Sequence, residues 1–235
     1  MRATDWEFKN RAIIFGMIFG FTFPLYFVDP QNISAAIAIG LGAAFHGDPD
    51  RIVRWLFVCA AVWLVAAALI RTWASSYLKA TVVYAGDVKA DSLVADGPYR
   101  RVRNPLYFAN VLLAVGMGAM MSRVGFAVAV AAMLVFCYRL ILREEAELKA
   151  AQGERYERYV EAVPRLWPSV LPRIARAGQR PNWGAGFKAE LWYWGFPMAV
   201  LAFAVSLDLR VFYTVLAVSV LFFWLGSWLV QLKRS

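Results

Sequence analysis

Five side chains in this sequence combine the charges and hydrogen-bonding groups that a binding or catalytic site needs. Arg103, Asn104 and Tyr107 stand at the start of one apolar run, and Glu144 and Glu145 stand just past the end of the next. An arginine can grip a carboxylate with two parallel N–H bonds. Carboxylates accept hydrogen bonds from a diol or an ammonium, and a tyrosine ring can pack on a flat heterocycle or face a positive charge. Gly97-Pro98-Tyr99 and Pro105 surround the first group, while Arg139, Tyr156 and Tyr159 flank the second. The apolar stretch between them, 106–142, breaks at 122–125. A helix hairpin of that length returns both polar clusters to one face of a bilayer. Ionisable groups are costly to place at a membrane edge and are functional candidates there.

The elements that must position these residues are membrane helices. A chain of 235 residues with 61% hydrophobic content and a mean hydropathy of +0.53 is too apolar for an ordinary soluble domain. Apolar runs recur at 12–28, 33–45, 52–70, 106–121, 125–142, 191–207 and 211–232. About 20 residues cross a hydrocarbon core of roughly 30 Å, so several of these are spans. The 33–45 run makes a helix only about 20 Å long and reads as short or re-entrant. The expected fold is all-α: a polytopic helical membrane protein with one helix hairpin and cytoplasmic segments that bind a cofactor.

Asp29-Pro30 reads as a turn between membrane segments, and no small-residue cleavage site follows Val28, so the first run is expected to stay in the chain. Cys59 and Cys137 lie alone in apolar runs without metal-type spacing and read as structural thiols. His46 is the only histidine, which excludes sites built on two histidines, and no metal is expected. Of the 25 Lys and Arg residues, 16 fall within 71–104 and 139–190, and the other connections carry almost none. The positive-inside rule puts both segments in the cytoplasm. The N-terminus joins them there if 33–45 does not cross, and lies outside if it does. The net charge of +9 therefore reads as topology and attraction to lipid headgroups, with no sign of nucleic acid as a partner.

Three regions follow along the chain: N-terminal membrane helices over 1–70, a core over 71–172 containing the hairpin 106–142, and a linker with a last membrane hairpin over 173–235. The core opens with a connection from Arg71 to Leu78 and a short β-like stretch at 81–84. Asp96-Gly97-Pro98 makes a turn. The helix of the hairpin continues as a charged segment over 143–152 until Gly153 bends it, and a short helix carries Tyr156 and Tyr159 on one face. Pro164, Pro168 and Pro172 force an extended path. The chain has no internal repeat.

Gly97-Pro98-Tyr99, Arg103-Asn104-Pro105 with Tyr107, Glu144-Glu145, and Gly153-Glu154-Arg155-Tyr156 with Tyr159 and Val163-Pro164 occur in one order and spacing. This set resembles the isoprenylcysteine carboxyl methyltransferase and phospholipid methyltransferase superfamily over about 71–168. The resemblance implies that these segments enclose S-adenosylmethionine on the cytoplasmic side and that a lipophilic small-molecule substrate arrives from the membrane lipids. Where the family usually reads Arg-His-Pro, this chain has Asn104, which keeps hydrogen-bonding capacity but cannot take up a proton near neutral pH.

Residue chemistry points the same way. Arg103 can pair with the cofactor carboxylate, Glu144 or Glu145 can accept from the ribose or the amino group, and Tyr99, Tyr107 or Tyr156 can pack on adenine or face the sulfonium. Arg103, Glu144 and Glu145 are the candidates for catalysis. Glu144 and Glu145 are adjacent on a helix and diverge by about 100°, so one is expected in the pocket and the other against the acceptor or an arginine. Arg139 and Arg143 also have a plain role as helix-end anchors, and Tyr107 as an interfacial aromatic. Two other classes share the pattern. One is a sterol-reductase-like enzyme using NADPH, with Arg100, Arg101 and Arg103 on its 2′-phosphate. The other is a non-catalytic lipid-binding protein.

Overall fold

Each long helix opens on residues suited to starting one. Pro49 follows Asp48, whose carboxylate accepts the N–H of Asp50. Pro105 occupies a first-turn position where a missing N–H costs nothing. The Ser122 hydroxyl accepts from Gly125 N–H at 3.0 Å, and the Asn32 side chain accepts from Ala35 N–H at 2.9 Å. The computed structural model describes residues 1–78 and 95–232, with side chains as far as Phe222. The β-like stretch expected at 81–84 lies outside the described residues.

The helices are α1 (Asp5–Lys9), α2 (Arg11–Thr22), α3 (Ile33–Phe45), α4 (Pro49–Tyr77), α5 (Pro105–Gly118), α6 (Arg123–Gln152), α7 (Glu154–Ala162), α8 (Trp183–Glu190), α9 (Gly195–Ser206) and α10 (Leu209–Leu232). Short 3-10 turns lie at Phe23–Phe27, Gly97–Arg100 and Leu191–Trp194. Among the described residues the only β pairing is an isolated bridge between Asn32 and Ser122. The protein is all-α. Helices α4 and α6 are long and apolar enough to cross a membrane. Large apolar side chains such as Val62, Leu69, Val135, Met198 and Leu201 are exposed along the bundle, as lipid-facing side chains are.

Helix α4 is the hub. It packs against α3, α5, α8 and α9, while α5 pairs with α6, α6 with α2, and α9 with α10. Phe57, Leu64, Ala68, Leu113 and Tyr193 lie in one buried cluster, and Phe8, Tyr107, Phe136 and Leu140 lie in a second, on α1, α5 and α6.

Two boundaries differ from the sequence reading. The connecting segment expected from Arg71 to Leu78 is instead the last two turns of α4, which ends at Tyr77. Polar residues stay helical there because they find buried partners: Arg71 and Ser75 both meet Glu190. The hairpin α5–α6 turns at 119–122 and not at 122–125, because the Ser122 cap already starts α6 at Arg123, and α6 runs unbroken until Gly153, at φ +53°, stops it.

Hydrogen bonds also fix the path of the short helix. Ala3 N–H donates to Arg139 O at 3.0 Å, and Ile33 N–H donates to Met121 O at 3.0 Å. The N-terminus therefore sits at the α6 end that carries Glu144, and α3 begins at the opposite end. Arg54, one turn into α4, caps Val205 O at 2.9 Å near the end of α9, so α4 also begins at that opposite end. Both ends of α3 thus lie at one end of the bundle, and it does not connect the two.

Gly186 lets α8 lie against α4. A Cβ there would stand 2.7 Å from Ser76 N and 2.8 Å from Thr72 O, and backbone atoms cannot swing aside. Gly186→Ala is expected to lower stability by about 1–3 kcal/mol, measured as thermal unfolding in detergent. An unchanged melting temperature would refute this close approach.

Candidate active site

Gly97 sets the first wall. Its φ of +60° is open to glycine at little cost, and a Cβ would fall 2.3 Å from the Tyr77 ring. The turn it makes presses against the end of α4 and aims Tyr99 inward, where it is buried. Pro98 is also buried. The Tyr159 hydroxyl donates to Tyr99 O at 2.7 Å, which holds α7 against this turn.

Beneath lies a knot centred on Glu145. One carboxylate oxygen accepts from Arg103 Nε at 2.9 Å and Asn104 Nδ2 at 3.1 Å, and the other accepts from Arg165 Nε at 2.9 Å. Arg103 also donates Nη1 hydrogens to Val160 O at 2.8 Å and Val163 O at 2.6 Å. Asn104 gives its second amide hydrogen to Arg165 O at 3.0 Å. The knot ties the start of α5, the end of α6 and the 163–165 segment together, with the Glu145 side chain only 10% exposed. Arg103 thus spends Nε and Nη1 on protein acceptors, and Nη2 makes no hydrogen bond among the described residues.

Glu144 points elsewhere. It accepts the Tyr107 hydroxyl at 2.6 Å on one oxygen, and its other oxygen has no partner among the described residues. The divergence of the two glutamates follows from the helical turn between them. Burial pushes the phenols of Tyr99, Tyr156 and Tyr159 well above their ordinary range, and neighbouring Tyr159 adds to this at Tyr99, Glu145 at Tyr156 and Tyr156 at Tyr159. All three remain neutral near pH 7, so none is a base there.

Arg139 is not brought to this group. Its guanidinium binds both oxygens of Glu7 at 2.7 and 2.9 Å and anchors α1. Arg100 and Arg101 turn to a neighbouring strap of chain: Arg100 Nε donates to Ile174 O at 2.9 Å, and Arg101 bonds Val170 O.

A second buried cluster was not apparent from the sequence. Arg71 pairs with Glu190 and donates to Asn110 Oδ1 at 2.7 Å, while Ser75 donates to Glu190 at 2.6 Å. The guanidinium stands 4.9 Å from the centre of the Tyr193 ring. The only signal was a lone charge of each sign at the edge of an apolar run, and a separation of 119 residues gives no spacing rule to pair them. Among the described residues no group of three or more His, Cys, Asp or Glu side chains could hold a metal ion.

A bundle of apolar helices carries a polar, aromatic-walled cluster at one end, and two of its helices, α4 and α6, are long and apolar enough to cross a membrane. Residues 55–155, from α4 to the start of α7, match the model of the phospholipid methyltransferase family, within the isoprenylcysteine carboxyl methyltransferase-like superfamily. That family is one of membrane methyltransferases. The chain is 29% identical over 112 residues to the nickel-cobalt-cadmium resistance protein NccN of Alcaligenes xylosoxydans xylosoxydans, covering 45% of this chain and 53% of that protein. It is 24% identical over 145 residues to the cobalt-zinc-cadmium resistance protein CzcN of Cupriavidus metallidurans, covering 59% of this chain and 62% of that protein. The chain thus spans little more than half the length of these relatives. No solved structure matches it.

The knot predicts unequal roles for the glutamates in stability. Glu145→Gln leaves Arg103 and Arg165 short of a buried counter-charge and is expected to cost about 3–5 kcal/mol. Glu144→Gln keeps an acceptor for Tyr107 and is expected to cost about 1 kcal/mol or less. Equal losses on thermal unfolding in detergent would contradict this division.

Proposed function

We propose that this chain is an S-adenosylmethionine-dependent methyltransferase acting on a lipophilic acceptor of the isoprenoid carboxylate or lipid amine type, with its site facing the cytoplasm. Glu144 carries the reading: a carboxylate with one unengaged oxygen, beside Tyr107, on a scaffold that Glu145 makes rigid. The chemistry of the donor set suits that cofactor. Glu144 would accept from the ribose diol or the ammonium, and Arg103 Nη2 would meet the carboxylate. Tyr99 and Tyr156 would offer ring faces to adenine or to positive charge. Gly97, Pro98, Asn104, Pro105 and Tyr159 would shape the walls. Arg139, spent on Glu7, would hold α1 in place.

When bound, the sulfonium supplies a methyl carbon already activated for displacement. The chain's residues then mainly have to orient the two partners and exclude water. A carboxylate acceptor gives up no proton. An amine or hydroxyl acceptor releases one, and of the two adjacent glutamates only Glu144 has an oxygen free to take it. The engagement of Arg100 and Arg101 by carbonyls of the 170–174 strap disfavours a 2′-phosphate subsite, and with it the NADPH-dependent reading.

Two measurements test this. S-adenosylhomocysteine at about 100 times its Kd should stabilise the detergent-solubilised protein by about 2.7 kcal/mol, and NADPH should not; the reverse pattern would reject a methyltransferase. Glu144→Gln should weaken S-adenosylhomocysteine binding about tenfold or more, as for loss of a charge-assisted hydrogen bond. Unchanged affinity in calorimetry would remove Glu144 from the cofactor site.

A further inference from the structure

The strap between α7 and α8 lies outside the family match and is unusual in composition. Residues 166–189 carry Arg173, Arg176, Arg180 and Lys188 and no acidic residue. The same stretch exposes large apolar side chains: Trp167 is 63% exposed, Val170 88%, Leu171 72% and Trp183 55%. Arg173, Arg176 and Arg180 are exposed and form no ion pair among the described residues.

This is not a loose tail. Ser169 N–H donates to Arg101 O at 2.9 Å and Arg173 N–H to Arg100 O at 2.8 Å. Ala177 and Gln179 N–H groups donate to the Asp96 carboxylate at 3.0 and 2.7 Å. The backbone is thereby laid along the 96–101 turn, Ile174 packs against the cluster of Tyr156, Tyr159 and Val163, and the Trp167, Val170, Leu171 and arginine side chains are left exposed. Both ends sit where the helices begin. The Trp167 ring is 5.8 Å from that of Phe108 in the first turn of α5, and Phe187 is 6.0 Å from Trp194 beside α9.

We propose that residues 167–188 form a binding surface for anionic phospholipid headgroups. A water-facing segment would bury or omit such apolar side chains. An interface with acidic headgroups satisfies both features at once: tryptophans settle at the headgroup level and the cations meet the negative surface. Arginine suits phosphate particularly well, because its planar fork matches the geometry of phosphate oxygens. The surface adjoins Arg100 and Arg101 through the strap's hydrogen bonds, so bilayer charge acts next to the candidate site. This inference does not depend on the methyltransferase reading.

The test uses the full chain in nanodiscs of phosphatidylcholine with phosphatidylglycerol. Either lipid carries brominated acyl chains, and the signal is the tryptophan quenching lost in a Trp167→Phe/Trp183→Phe variant. Brominated phosphatidylglycerol should be preferred at low salt, by up to about fivefold for each cation at the surface, the equivalent of about 1 kcal/mol. The preference should disappear in R173Q/R176Q/R180Q, persist in R173K/R176K/R180K, and fade at 1 M salt, where the screening length is about 3 Å. The salt titration of the unaltered chain decides the matter even if the triple Gln variant misfolds. Equal quenching by the two lipids, a preference that survives 1 M salt, or one that survives the triple Gln replacement would overturn the proposal.

Discussion

A carboxylate buried at the edge of an apolar bundle is expensive unless both of its oxygens are paired with donors, and Glu145 meets that condition with three. Arg103 and Asn104 come from the start of α5 and Arg165 from beyond α7. Charge compensation can be complete only when these three segments converge, so the geometry of the site follows from the electrostatic requirement. Arg103 extends the constraint by capping Val160 and Val163 carbonyls, which would otherwise lack partners where α7 ends. The neighbouring Glu144 is held on the same scaffold and accepts a hydrogen bond only from Tyr107 among the described residues.

The Arg71 and Glu190 pair acts in the same way deeper in the bundle. It fastens α8 and the 191–194 turn to α4 and, through Asn110, to α5. Helix α4 therefore touches the site twice: through Tyr77, against which Gly97 is packed, and through the helix that begins with Arg103 and Asn104. Residues beyond the family match are built into its support. The C-terminal region is packed on the core, with Tyr193 fully buried and its hydroxyl bound to Ala109 O at 2.8 Å.

Much of this was legible in the sequence because it is governed by local rules. Apolar runs of membrane length fix helices, Gly153 marks the end of one, and the rotation of about 100° between adjacent Glu144 and Glu145 on a helix forces their side chains apart. The family pattern is likewise a matter of order and spacing. A reading by hydropathy fails at Arg71, where the apolar run stops and the helix does not: polarity ends a run, whereas hydrogen bonding decides where a helix ends.

The sequence by itself thus determined the all-α bundle, the hairpin and the meeting of two polar clusters at one end, because periodicity and length suffice for these. Only the tertiary structure decided which partners those residues take. It turned Arg103 toward Glu145 and two backbone carbonyls, gave Arg139 to Glu7, left one Glu144 oxygen without a hydrogen-bond partner among the described residues, and placed both ends of the 33–45 helix at one end of the bundle. Those choices depend on contacts between residues from 20 to 151 positions apart. No local rule reaches across such distances; they are fixed by which buried charges and carbonyls can be satisfied together.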